Sequence, residues 1–244
     1  MGMPGQIMAE DFDTNHAVIE LKKTFQEIRE RFLVETNNPE IAWHFARACF
    51  DLADISTVNA QKAEFARGGI EAAERSLALN SNSPAAHYYL GMNIGELADT
   101  KRNLSALKMT KEMEREFLAA HAIDEHFDFA GADRNLGLLY LEAPVFFSVG
   151  DRAKGRLHLQ AAVRLAPDFP ENRLNLIEAY LKLGDNAEAR KQLEELEKIW
   201  PEAQKQFTGD AWALSRADWN KRLYVAQKKL ETASKVTASP HATK

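Results

Sequence analysis

The sequence predicts an all-α chain built from stacked helix pairs, and three observations carry that prediction. Glycine and proline fall at the boundaries between long stretches of helix formers. No stretch sustains the two-residue alternation of a half-buried strand, and apolar residues recur instead at helical spacing. The segment LAPDFPENRLNLIEAYLKLGD, residues 165–185, combines a Pro-Asp-Phe-Pro turn, a helical run and a Gly-Asp stop.

After Pro170, the residues Leu176, Ile177, Tyr180 and Leu183 share one helical face, which Gly184-Asp185 ends. Ala189, Leu193, Leu196 and Ile199 supply a second face that ends at Pro201. Pro167 and Pro201 lie 34 residues apart, the period of a tetratricopeptide helix pair. Three less regular copies precede it. Trp43, Ala46 and Phe50 are answered by Gly69, Ala73, Ser76 and Leu79; His87, Leu90, Gly91 and Ile94 by Phe117, Ala120 and Ile123; Leu136, Gly137 and Tyr140 by Gly155, Leu159 and Ala162. Gly69, Gly91, Gly137 and Gly155 sit inside helices, where each costs about 1 kcal/mol relative to alanine, so they mark crossings of closely packed helices. The expected architecture is a tetratricopeptide-like α-solenoid of about four antiparallel helix pairs, with an N-terminal helix and C-terminal capping helices carrying Trp212, Trp219 and Leu223. One domain is expected over 16–232, flanked by small, polar, disordered tails at 1–15 and 233–244. The first three units are longer than 34 residues, and their extra residues are expected between the two helices of each pair, at one end of the stack.

Composition removes several function classes. The net charge of -5 and the scattered Lys and Arg offer no basic face for nucleic acid. A single cysteine, Cys49, excludes an intramolecular disulfide, and its setting between Ala48 and Phe50 suggests a small buried thiol. No apolar run approaches the length of a membrane span. The strongest metal-like cluster is HAIDEHF, with His121, Asp124, Glu125 and His126, but its spacing is neither His-Glu-x-x-His nor the inverted form. The simpler expectation places His121 on a helix and Asp124–His126 in the following turn. Nucleophile elbows and phosphate loops are missing. The expectation is therefore a non-enzymatic protein without metal or cofactor; a ligand-binding or metal-dependent hydrolytic protein using His121, Glu125 and His126 is the alternative, and a self-assembling structural repeat protein another.

Two features suggest a binding surface. In such an array the first helix of each pair faces the concave side, and the register directs His44, Tyr88, Met92, Arg134 and Leu138 inward, with Glu96 and Glu142 one turn further on; a partly closed stack would instead make Tyr88 and Met92 core. Tyr, Met and Arg are residue types that interfaces favour. The second feature is PVFFSVG, residues 144–150. Phe146 and Phe147 are too apolar to be left in water, and are expected either as core or as the lining of a pocket.

With the insertions placed, HYYLGMNIGELA, EAP…SVGD and LAPDFPEN occur in an order that resembles the T-component of tripartite ATP-independent periplasmic (TRAP) transporters over roughly residues 40–200. The resemblance implies a helical-repeat accessory protein that associates with a periplasmic substrate-binding protein and offers a cavity to a small apolar ligand. It also implies periplasmic residence if an upstream signal has been removed, and cytoplasmic residence otherwise; no lipobox cysteine stands near Met1. The helix-pair pattern is also similar, more distantly, to the eukaryotic regulators of microtubule dynamics. Homo-oligomerisation stays open.

Overall fold

The computed structural model describes residues 4–101 and 104–237. Among them are ten helices and no strand, in the order expected: α1 (Pro4–Val34), four pairs α2/α3 (Pro39–Asp54, Asn59–Leu79), α4/α5 (Pro84–Asp99, Leu104–Ile123), α6/α7 (Phe127–Glu142, Arg152–Leu165) and α8/α9 (Pro170–Leu183, Asn186–Gln206), then α10 (Asp210–Thr237). The all-α repeat architecture is as the sequence predicts. Residues 1–3 and 238–244 of the expected tails lie outside the described residues, and the backbone over 4–15 and 233–237 is helical.

Local chemistry sets the boundaries. Pro39, Pro84 and Pro170 each stand at the start of the first helix of a pair, where the missing N–H would find no partner in any case. Asn38 caps α2, its side chain accepting from the N–H of Glu40 at 3.0 Å and of Ile41 at 3.3 Å. Asn38→Ala leaves those donors bare and is expected to cost about 1 kcal/mol, read as a lowered midpoint in urea denaturation. Gly184 ends α8 in the left-handed conformation, φ 79°.

Two expectations change. The extra residues of the first two units do not form loops; they lengthen α3 and α5 to 21 and 20 residues, and only the third, 143–151, is an extended connection. Pro201 does not end α9, which continues to Gln206. Beyond the proline, Ala203 and Phe207 are buried, and that packing outweighs the lost backbone bond.

By their contacts the described residues fall into two compact units, residues 18–161, and residues 162–237 together with 4–17. In the larger unit the main apolar cluster includes Phe25, Phe32, Phe45, Tyr88, Phe117 and Leu136, and a smaller one joins Ala53, Ala63, Ala66 and Leu97. Helices α6 and α7 approach closely where a Cβ on Gly137 or on Gly155 would lie 3.0 Å from the other's carbonyl oxygen. In the other unit, α8, α9 and α10 close over an aromatic cluster of Phe169, Phe207, Trp212 and Trp219, with ring centroids 4.8–6.0 Å apart.

Candidate binding cleft

In the larger unit α4, α5 and α6 converge with Phe50 of α2 around an open cleft of about 520 Å³. Its floor is apolar: Phe50, Met92, Leu107, Met113, Phe117 and Leu138. Its rim is polar, with Glu96, Asp99, Lys101 and Glu142. Glu96 pairs with Lys62 of α3, and both side chains are largely buried. Burial holds the Glu96 carboxyl above its ordinary range while Lys62 opposes the rise.

Four of the nine sequence-predicted surface residues meet here: Met92, Glu96, Leu138 and Glu142. The other five lie elsewhere. His44 is exposed on α2, stacked on Trp43 with centroids 3.7 Å apart. Tyr88 and Arg134 are core, 2% and 5% exposed; for Tyr88 this is the partly closed alternative, for Arg134 a departure from the inward-facing expectation. Both side chains meet the turn at the start of α6, where Asp128, Phe129 and Ala130 adopt left-handed φ of 50°, 55° and 60°. That turn buries both side chains beneath itself.

A left-handed turn costs roughly 1–2 kcal/mol per non-glycine residue, and polar contacts offset it. Arg134 Nη2 donates to Asp128 Oδ2 at 2.7 Å, and its Nη1 to the carbonyls of Asp128 and Phe129 at 3.2 and 3.4 Å. Tyr88 donates to the same Asp128 oxygen at 2.7 Å. Burial, with the Asp128 carboxylate beside it, holds the phenol well above its ordinary range, so it stays a donor. Asn135 Nδ2 donates to Tyr88 Oη at 3.1 Å and to Gly131 O at 2.9 Å. Asn135 also lines the cleft, so the buried network stands directly behind its wall.

Phe146 and Phe147 are the plainest correction. They are neither core nor cleft lining; they are 91% and 79% exposed, with Val145 at 56%. The loop is pinned at its ends instead. Ser148 N donates to Pro144 O at 3.0 Å, Asp151 N to Tyr140 O at 2.8 Å, and Val149 packs on the core. Gly150 lies so close to Ala143 that a Cβ there would stand 2.0 Å from its carbonyl oxygen. With the base drawn in this tightly, the tip stands clear of the surface.

The His121 cluster is not assembled. Glu125 and His126 are exposed, 3.8 Å apart, whereas His121 Nδ1 lies 2.9 Å from Asp133 Oδ2, close but without hydrogen-bond alignment. His158 Nδ1 reaches the other Asp133 oxygen at 2.7 Å. The buried Asp133 thus joins α5, α6 and α7. Among the described residues no group of three or more His, Cys, Asp or Glu side chains is placed to hold a metal ion. Cys49 is buried, and burial pushes its thiol up to about 12.

One carboxylate near this region titrates where stability can be read. Asp51 of α2 has its pKa pushed by burial from 3.8 to about 6, against the pull of Arg47. The folded state therefore holds the proton more tightly than the unfolded chain. That advantage is complete below 3.8 and is lost as pH rises through about 6. Asp51→Asn is expected to match the parent near pH 3.5 and to exceed it by about 1 kcal/mol near pH 7, a modest figure because 28% of the side chain is open to water. Thermal melts across that range check it.

The family model described as "Regulator of microtubule dynamics protein 1-3" matches residues 8–130, just over half of the chain. The chain belongs to that family. Regulator of microtubule dynamics protein 3 of Rattus norvegicus is 24% identical over 206 residues, covering 77% of this chain and 43% of the relative. The Mus musculus protein is 25% identical over 189 residues, covering 68% and 40%. This member of the family thus spans less than half the length of the curated relatives it matches. A tetratricopeptide repeat model matches residues 146–204. Among solved structures, a thermophilic TPR protein of Thermus thermophilus is similar at TM-score 0.61 and 17% identity, over 84% of this chain and 98% of that one. The crystal structure of MamA protein is similar at TM-score 0.51 and 16% identity, over 79% and 90%. These likenesses bear on fold: the chain is a TPR-like helical-repeat protein. They give no support to membership of the TRAP T-component family. The likeness that the sequence pattern makes the more distant one, to regulators of microtubule dynamics, is the one that matches. Among the described residues no helix is long and apolar enough to cross a membrane.

Proposed function

We propose that the chain is a non-enzymatic adaptor that receives an apolar segment of a protein partner in the α4–α6 cleft. The observation that carries this reading is the cleft itself: an apolar floor of about 520 Å³ with a carboxylate-rich rim, the combination of anchor pocket and polar surround on which interfaces depend. Peptides selected from a displayed library on the purified chain are expected to carry an apolar anchor flanked by basic residues. Ala98→Trp, which fills the cleft, is expected to abolish their binding; peptides that bind the variant unchanged would contradict the reading. The curated relatives' name adds microtubules as a partner to test, by co-sedimentation of the parent chain and the same variant.

The transporter role implied by the TRAP resemblance has no support in these matches. Tyr88→Ala or Arg134→Ala would report on folding, because both side chains are core. Met92→Ala and Leu138→Gln are the variants with which to probe capture of a substrate-binding protein or of a small apolar ligand.

A further inference from the structure

Beside the apolar cleft stands an apolar knob. Val145, Phe146 and Phe147 form the tip of the 143–151 connection and are 56%, 91% and 79% exposed. The loop cannot fold its own tip into its own cleft while its base is held by the Ser148–Pro144 and Asp151–Tyr140 bonds. Ala143 and Pro144, at the root of the tip, are themselves cleft lining. Knob and hole therefore belong to one contiguous patch, which is the arrangement a two-fold interface requires: the same patch on both copies, with each element meeting the other's complement.

We propose that the occupant of the cleft is the 145–147 tip of a second copy of this chain, each copy's tip entering the other's cleft. The inference rests on the adaptor reading above and names its first partner. Charge agrees with it. The chain just after the tip carries exposed Arg152, Lys154 and Arg156, whereas the cleft rim carries Asp99 and Glu142, the Lys62-paired Glu96 and a single cation, Lys101, so that it is negative on balance. Tip-in-cleft pairing sets these opposite signs against each other. Tip-to-tip pairing sets cations against cations. Area agrees as well. A phenylalanine buries about 150–250 Å², so four of them and the cleft surface they cover remove roughly 1,200–2,000 Å² from water, within the range of specific interfaces.

Sedimentation equilibrium of the full chain over a wide concentration range tests this. The parent is expected to show a reversible monomer–dimer equilibrium. The double variant Phe146→Ala, Phe147→Ala, whose side chains make no core contact, is expected to raise the dimer dissociation constant by about a hundredfold or more. Ala98→Trp is expected to do the same from the other side of the contact, with Leu138→Gln as a second cleft variant and thermal melts confirming that each is folded. A parent that is monomeric throughout overturns the proposal, as does a dimer that survives the tip substitutions. A dimer lost on tip substitution but indifferent to both cleft variants makes the contact tip-to-tip and also overturns it. So does a monomeric parent whose tip binds anionic phosphatidylserine vesicles instead. If selected peptides still need the cleft in any of these cases, the adaptor reading stands and only self-pairing is withdrawn.

Discussion

Arg134→Ala is expected to lower the unfolding free energy of the larger unit by about 2 kcal/mol, the scale for charge-assisted hydrogen bonds lost from a buried guanidinium, since the Asp128 carboxylate left behind is 32% exposed. The side chain is 5% exposed, and its fork holds both the Asp128 carboxylate and the carbonyls of the left-handed turn. Removing it leaves Asp128 with Tyr88 as its remaining partner in this network and frees three strained residues to relax. Arg134→Lys keeps the charge but not the planar fork, and is expected to recover less than half of the loss. Urea denaturation of the three proteins decides it; a loss under about 1 kcal/mol for the alanine variant would mean that the turn is held by packing alone. Because Asn135 couples this network to the cleft wall, the same variant is also expected to weaken peptide binding while leaving Ala98 and Leu138 untouched.

Gly69→Ala carries the second large effect, and its sign is opposite to helix propensity. In an isolated helix the change would gain about 1 kcal/mol. Here a Cβ would stand 2.1 Å from Asn93 Oδ1, on a side chain that is fully buried. Asn93 Nδ2 donates to Ala46 O at 2.9 Å and Tyr89 O at 2.8 Å, tying α4 to α2. Moving the amide breaks those bonds inside the core, so a net loss of about 2–3 kcal/mol is expected. Adding Asn93→Ala to Gly69→Ala is expected to cost less than the two single losses together, because the clash then has no partner. Strict additivity in denaturation would contradict the close approach.

These two positions show where the sequence speaks and where it falls silent. Gly69 is legible: a glycine inside a helical run has to be explained by something, and close packing is the general explanation. The same logic, with Pro170 and Gly184, locates four helix pairs and most of their boundaries. Pro201 misleads because the sequence shows the breaker but not the aromatic cluster beyond it that keeps α9 going. The left-handed turn at 128–130 is invisible, since Asp, Phe and Ala carry no glycine signal and the turn is held by residues distant in sequence, Tyr88 above all. Tyr88 and Arg134, which that turn covers, are core, while Met92, Glu96, Leu138 and Glu142 line the cleft as their spacing predicts. Phe146 and Phe147 defeat a different rule. Hydrophobicity alone sends them inward, but the short tethers at Gly150 and Asp151 hold the tip out.

Docking of a partner in the α4–α6 cleft has reporters already in place. Met92 and Met113 line the cleft, and Met109, on the same helix as Met113, packs against the core outside it. The measurement is a carbon-13 methyl spectrum of methionine-labelled chain, held dilute enough to be monomeric and titrated with a selected peptide. The expected result is saturable shifts of the Met92 and Met113 methyls with Met109 unmoved, and no shifts in Ala98→Trp. Saturable binding that leaves Met92 and Met113 where they were would place the docking surface elsewhere and contradict the account.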